Sequence, residues 1–147
     1  MNSYISKEMK RFNYLISETD ATYHEAALRM GLSDSAMQIL YAICDYDREY
    51  RCPLQEICKR SGISKQTINS AVRKLETEGI VVLEQTGTKN KDVCLTKEGI
   101  RLAERTTMKL IETENNILKS WSKEELKKYL ELTERFLIEL KDKVKEI

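Results

Sequence analysis

What this chain has little of narrows the reading first. Proline occurs once and glycine five times in 147 residues, too few turn formers for an all-β fold, while 41% hydrophobic residues are too many for a disordered one. No apolar run approaches the roughly 20 residues that span a bilayer, and Met1-Asn2-Ser3-Tyr4 leads into no signal-peptide core, so a cytoplasmic chain with no membrane partner is expected. There is one histidine, His24, no Gly-rich phosphate loop and no loop with paired carboxylates. These absences argue against an enzyme. The four cysteines (Cys44, Cys52, Cys58, Cys94) show no CxxC spacing, and Cys52 and Cys58, six apart, match no zinc pattern. No metal and no cofactor are expected, and the thiols fit a reduced state. Cys94, on the polar side of its segment, is the one candidate for redox sensitivity.

Charge of one sign is also scarce, since the net charge is only +1. Its distribution is uneven, however. From Lys59 to Lys91 there are seven basic residues (Lys59, Arg60, Lys65, Arg73, Lys74, Lys89, Lys91) against Glu76, Glu78 and Glu84, while the rest of the chain holds 18 basic and 21 acidic residues. Positive charge is gathered in one central segment, the footprint of a polyanion partner.

What is present is mostly helical periodicity. Ile5, Met9, Phe12, Ile16, Thr19, Tyr23, Ala26 and Met30 form the stripe of a long first helix that Gly31 ends. Ser33 caps a second helix with Met37, Leu40, Tyr41 and Cys44 inward, followed by a polar turn from Asp45 to Arg51. Pro53 opens a third with Leu54, Ile57 and Cys58 inward; Ser61-Gly62 breaks it, Ile63 anchors the turn, and Ser64 caps a fourth helix that Gly79 stops. Ile80–Thr86 and Asp92–Leu95 alternate as two strands around the loop 87–91. Thr96 caps a long fifth helix (Ile100, Ala103, Thr107, Leu110, Glu114, Ile117, Trp121), and Ser122 a sixth (Leu126, Leu130, Thr133, Leu137, Leu140, Val144, Ile147). The fold class is therefore mainly α with a small β-hairpin wing. Heptad-like spacing in both terminal arms suits packing on each other or on a second subunit.

On the fourth helix Ile68, Ala71, Val72 and Leu75 fall on one side and Gln66, Ser70, Arg73 and Thr77 opposite, flanked by Asn69 and Lys74. Amide and guanidinium groups pair bidentately with adenine and guanine, and hydroxyls reach phosphates or base edges. With the preceding short helix and Gly62 turn, this is helix-turn-helix spacing, and Lys89 and Lys91 on the hairpin loop are placed to reach a flanking backbone or minor groove.

Pro53-Leu-Gln-Glu-Ile, Ser61-Gly-Ile-Ser, Val72-Arg-Lys-Leu-Glu-Thr-Glu-Gly-Ile-Val and Val93-Cys-Leu-Thr-Lys-Glu-Gly, in this order, resemble MarR-type regulators over residues 33 to 100. The resemblance implies a winged helix-turn-helix with long N- and C-terminal dimerisation helices. It implies one domain over 1–147, with 33–99 binding DNA and 1–32 and 100–147 joining a homodimer on a pseudo-palindromic operator. Carried over by position, Ser64, Lys65, Gln66, Thr67, Asn69, Ser70, Arg73 and Lys74 face DNA, and Lys89, with Lys91 nearby, stands for the usual wing arginine. Gly87 replaces the aspartate that orients that arginine, so wing contacts are expected to be confined more to phosphate. Cys52 stands where a polar cap would precede Pro53. The family's small aromatic or lipophilic effectors would meet Phe12, Tyr14, Tyr23 and Tyr41. The hydroperoxide-sensing branch keeps its cysteine in the first helix, where this chain has none. A ligand-responsive repressor is the function implied; the alternative is a winged-helix module for protein contacts, which would expose aromatic or aliphatic residues on the recognition face.

Overall fold

Short hydroxyl side chains start the helices, because their oxygens accept from backbone N–H groups that have no partner within the first turn. In the computed structural model, which describes residues 4–47 and 49–147, Ser6 caps α1 (Lys7–Arg29) and Ser33 caps α2 (Asp34–Tyr46). β1 (Arg51–Pro53) leads into α3 (Leu54–Ser61), and Ser64 caps α4 (Lys65–Thr77). The hairpin β2 (Val81–Gln85) and β3 (Lys91–Leu95) follows, then α5 (Lys97–Arg105) capped by Thr96, α6 (Thr107–Ser120), and α7 (Lys123–Val144) with a full capping box between Ser122 and Glu125. The mainly helical fold with a β-hairpin wing is as expected. Met1–Ser3 and Arg48, the latter within the expected turn from Asp45 to Arg51, lie outside the described residues.

Two departures matter. The polar turn expected from Asp45 to Arg51 is interrupted: α2 continues to Tyr46, and Arg51–Pro53 forms a third strand that pairs antiparallel with β3, giving the sheet order β1-β3-β2. Tyr50 adopts a positive φ of 59° just before it. Cys52 is consequently no cap but a fully buried strand residue opposite Val93, and α3 starts at Leu54 without any side-chain cap. The second departure is at Thr106, whose φ and ψ of −128° and −90° divide the expected long fifth helix into α5 and α6. Its hydroxyl donates to the Leu102 carbonyl at 2.6 Å, serving a backbone acceptor at the break.

The chain divides into two compact units, Met1–Leu110 and Ile111–Ile147. In the first, an apolar core gathers Ile39, Leu40 and Ile43 of α2, Cys52, Ile57 of α3, Ile68, Val72 and Leu75 of α4, Val81, Val93, Leu95 and Ala103. Each fully buried aliphatic side chain contributes about 1.5–3 kcal/mol. Ile39 and Ile43 extend the α2 face beyond the expected stripe, and Tyr41 and Cys44 are half-buried. Gly99 lies against the hairpin, where an added Cβ would come 2.1 Å from the Ile80 carbonyl oxygen. α1 buries only Ala27, leaving Met9, Phe12 and Ile16 40–47% exposed. In the second unit α7 buries nothing; Leu130, Leu137, Leu140 and Val144 are exposed along it, and Trp121 meets Tyr129 edge to face at 5.2 Å. Among the described residues no helix is long and apolar enough to cross a membrane.

Candidate nucleic-acid interface

The turn between α3 and α4 is tied by short side chains. Gly62, at φ 67°, takes the left-handed conformation that ends α3, and the Ser61 hydroxyl accepts from Ile63 N–H and donates to the Cys58 carbonyl, both at 3.2 Å. Ile57 and Ile68 are fully buried on either side of it, which fixes the roll of α4. Ile68, Val72 and Leu75 point inward, so Lys65, Gln66, Ser70, Arg73 and Lys74 are exposed and Asn69 is half-buried. Ser64 and Thr67 are partly engaged with each other: the Ser64 hydroxyl accepts from Thr67 N–H at 3.2 Å and donates to Thr67 Oγ1 at 2.8 Å. Arg73 Nε donates to the Asn69 carbonyl at 3.4 Å.

A cleft of about 1030 Å³ opens between α3, α4 and the wing. Of the sequence candidates it brings together Lys65, Asn69 and Arg73 with Lys89 and Lys91; Ser64, Gln66, Thr67, Ser70 and Lys74 lie outside it. Lys59 and Gln55 of α3 also line it, and neither was a candidate from sequence, although Lys59 belongs to the central basic cluster. Five cations thus share the cleft with two carboxylates, Glu56 and Asp92.

Both carboxylates are already held by arginines outside the cleft lining. Arg60 Nε donates to Glu56 at 3.2 Å, contacts Asp45 as well, and lies 5.4 Å from the centre of the Tyr46 ring. Arg51 Nε donates to Asp92 at 2.9 Å and its NH2 pairs with Glu84 at 3.2 Å. Asp92 foremost, then Glu84, hold the Arg51 guanidinium above its ordinary pKa, and Glu56 does the same for Arg60. Among the described residues, none of the five cleft cations lies in an ion pair. The field in the cleft is therefore positive although the chain as a whole is nearly neutral.

The wing tip is shaped by its own strand. Thr86 N–H donates to the Asn90 carbonyl at 3.0 Å, and Gln85 Nε2 reaches the Gly87 and Thr88 carbonyls at 3.0 and 3.3 Å. At the root, the Thr96 hydroxyl donates to the Gly79 carbonyl and accepts from Gly99 N–H at 3.0 Å.

The remaining candidates fall elsewhere. Phe12 and Tyr23 share a side of α1, but Tyr14, 63% exposed, is about 160° round the helix from Phe12, and Tyr41 is half-buried on α2. None of the four lines the cleft. His24 Nδ1 is 2.8 Å from both Asp34 oxygens, tying α1 to the start of α2. Burial pushes the Cys44 thiol up to about 11 and Cys52 to about 12. Cys94 also sits above the ordinary thiol range, chiefly through burial and then Glu84 and Asp92, with Arg51 opposing; its S–H points to Glu84 at 3.9 Å. Thiolate at these three positions is scarce at neutral pH, the reverse of a reactive cysteine. Among the described residues no group of three or more His, Cys, Asp or Glu is arranged to hold a metal.

No curated protein matches this chain in sequence. A sequence model described as the MarR family matches residues 30–89, which run from the end of α1 to the wing tip. Solved structures extend the likeness to almost the whole chain. NMB1585, a MarR family regulator from Neisseria meningitidis, superposes with a TM-score of 0.76 at 15% identity, covering 95% of this chain and 96% of that one. Sco3205, a MarR family transcriptional regulator from Streptomyces coelicolor solved in complex with DNA, gives 0.67 at 19% identity over 94% and 91%. NadR, solved in complex with 4-hydroxyphenylacetate, gives 0.69 at 16% identity over 95% and 96%. The segment from the end of α1 to the wing tip is thus similar in sequence to the MarR family, and the chain shares the winged helix-turn-helix fold of these structures nearly end to end.

Proposed function

We propose that this protein is a transcription regulator that binds duplex DNA as a homodimer, with α4 in the major groove and the wing on the flanking backbone. The observation that carries this reading is the cleft: five cations from α3, α4 and the wing converge there, while its two carboxylates are neutralised from behind. Phosphate contacts by such cations supply affinity, and Asn69, Gln66 and Arg73 are the groups able to read base edges. The structure of Sco3205 with DNA supports the same use of a shared fold.

Residues 33–99 form the DNA-binding part, and 1–32 and 100–147 join the subunits. The exposed apolar stripes of α1 and α7 support that pairing, since leucines spaced in heptads are otherwise left in water. A two-fold dimer places its recognition helices about one DNA turn, roughly 34 Å, apart and so reads a pseudo-palindromic operator. Binding, not catalysis, is the activity, and it takes place in the cytoplasm. A small aromatic or lipophilic effector would act by changing the spacing of the two recognition helices, a role supported by the 4-hydroxyphenylacetate bound to NadR.

The test is an anisotropy titration against duplex DNA from the protein's own upstream region, with an unrelated duplex as control, at two salt concentrations. Arg73→Ala is expected to weaken specific binding by about 1–3 kcal/mol, whereas Lys89→Ala lowers affinity on every sequence and reduces the salt slope by about one. A folded wild-type protein that binds neither duplex at low salt would sink the reading.

A further inference from the structure

The β2–β3 hairpin contains a charge conflict that it cannot resolve by itself. Glu84 and Asp92 stand directly opposite each other in the antiparallel register, and like charges so placed repel and open a strand pair. The compensating cation comes from a third strand: Arg51 on β1 faces Cys94 and extends its guanidinium to Asp92 at 2.9 Å and Glu84 at 3.2 Å, one carboxylate on each arm of the hairpin. Arg51 and Asp92 are only 29% and 16% exposed, so solvent screens this pair less than an ordinary surface one. Asp92 is also the chain neighbour of Lys91 and lines the cationic cleft. Left unpaired, it would repel the phosphates that Lys89 and Lys91 attract.

We infer that Arg51 is the positioning residue of the wing: from β1 it clamps the two opposed carboxylates of the hairpin and thereby sets where Lys89 and Lys91 meet the DNA backbone. This inference rests on the DNA-binding reading above. Arg51 itself need touch no DNA; it acts through the hairpin. A planar guanidinium can serve both carboxylates at once, which the point charge of a lysine does less well.

The experiment compares wild type, Arg51→Met, Arg51→Lys and Arg51→Met/Glu84→Gln, each with and without Lys89→Ala, by hydrogen exchange and by anisotropy on a mixed-sequence duplex at low salt. In Arg51→Met the amides of residues 82–95 are expected to exchange about tenfold faster while those of α4 are unchanged. Duplex affinity is expected to fall about tenfold, with Arg51→Lys intermediate and most of the loss restored by adding Glu84→Gln, which removes one of the opposed charges. In the Lys89→Ala background the same Arg51→Met change is expected to cost less than about twofold, because the clamp acts through the wing. Wild-type wing exchange and affinity in Arg51→Met overturn the inference, as does an undiminished loss in the Lys89→Ala background, which would mark general destabilisation. Wild-type protein that leaves the duplex unbound overturns the DNA-binding reading and this inference together, a result distinct from one in which wild type and Arg51→Met bind equally.

Discussion

The winged centre and the terminal arms treat apolar side chains in opposite ways. Between Ile39 and Ala103 isoleucine, leucine and valine from three helices and two strands vanish into one core, and the polar residues left outside include those of the cationic cleft. α7 carries Leu130, Phe136, Leu137, Leu140 and Val144 without burying one of them, and α1 buries a single alanine. Long helices with such stripes draw little stability from propensity alone; packing of the apolar face is what holds them. The centre is complete within one chain, while the arms leave their apolar faces exposed, the surface on which the proposed homodimer depends.

Three substitutions test that division, from the largest expected effect to the smallest. Gly99→Ala strikes the centre, where a methyl group 2.1 Å from the Ile80 carbonyl forces the α5 start away from the hairpin. A loss of about 3–5 kcal/mol is expected in urea denaturation; wild-type stability would mean that this junction yields easily and that the centre is less tightly built than its burial suggests. Leu137→Ser strikes an arm. It is expected to cost about 2 kcal/mol of association per chain, seen as dissociation on dilution in sedimentation, with the hairpin and α4 amides unchanged in exchange. An unchanged sedimentation profile would detach the α7 stripe from pairing. Ser122→Ala removes the cap of α7 and is expected to lower arm stability by about 1 kcal/mol, read from helical circular dichroism on heating. The reciprocal bond from Ser122 N–H holds the Glu125 carboxyl below its ordinary pKa, so its contribution is present at neutral pH and disappears as pH falls through that lowered value.

Legibility in the sequence followed the range of the signal. Caps at Ser33, Ser64, Thr96 and Ser122, stops at Gly31 and Gly79, and the hairpin alternation are local, and all appear where expected. β1 was illegible because a three-residue strand ending in proline has no period, and its partner in β3 lies some 40 residues away. The break at Thr106 carries neither glycine nor proline, only a hydroxyl that satisfies a carbonyl one turn back. Ile39 and Ile43 escaped the α2 stripe because that helix meets α3, α4 and β1 on several sides, so one face does not describe it. Asn69, Arg73, Lys89 and Lys91 could be named from helical and hairpin spacing, and Lys65 from the resemblance to MarR-type regulators. That Asp92 is ion-paired with Arg51 rather than facing the cleft alone could not, since it depends on a register set by tertiary pairing.

The bonds at Thr96 have a mechanical consequence. One side chain joins the chain entering the hairpin, through Gly79, to the start of the helix leaving it, through Gly99, and the Thr96 backbone adds a bond to Ile80 at 3.0 Å. The wing is thus a lever pinned at Thr96 and stayed along β3 by β1 and Arg51, with its tip about 17 Å from the pin, the reach of five strand residues. A tilt of about 6° at the pin moves Lys89 by about 2 Å, enough to carry an ammonium group out of contact with a phosphate oxygen.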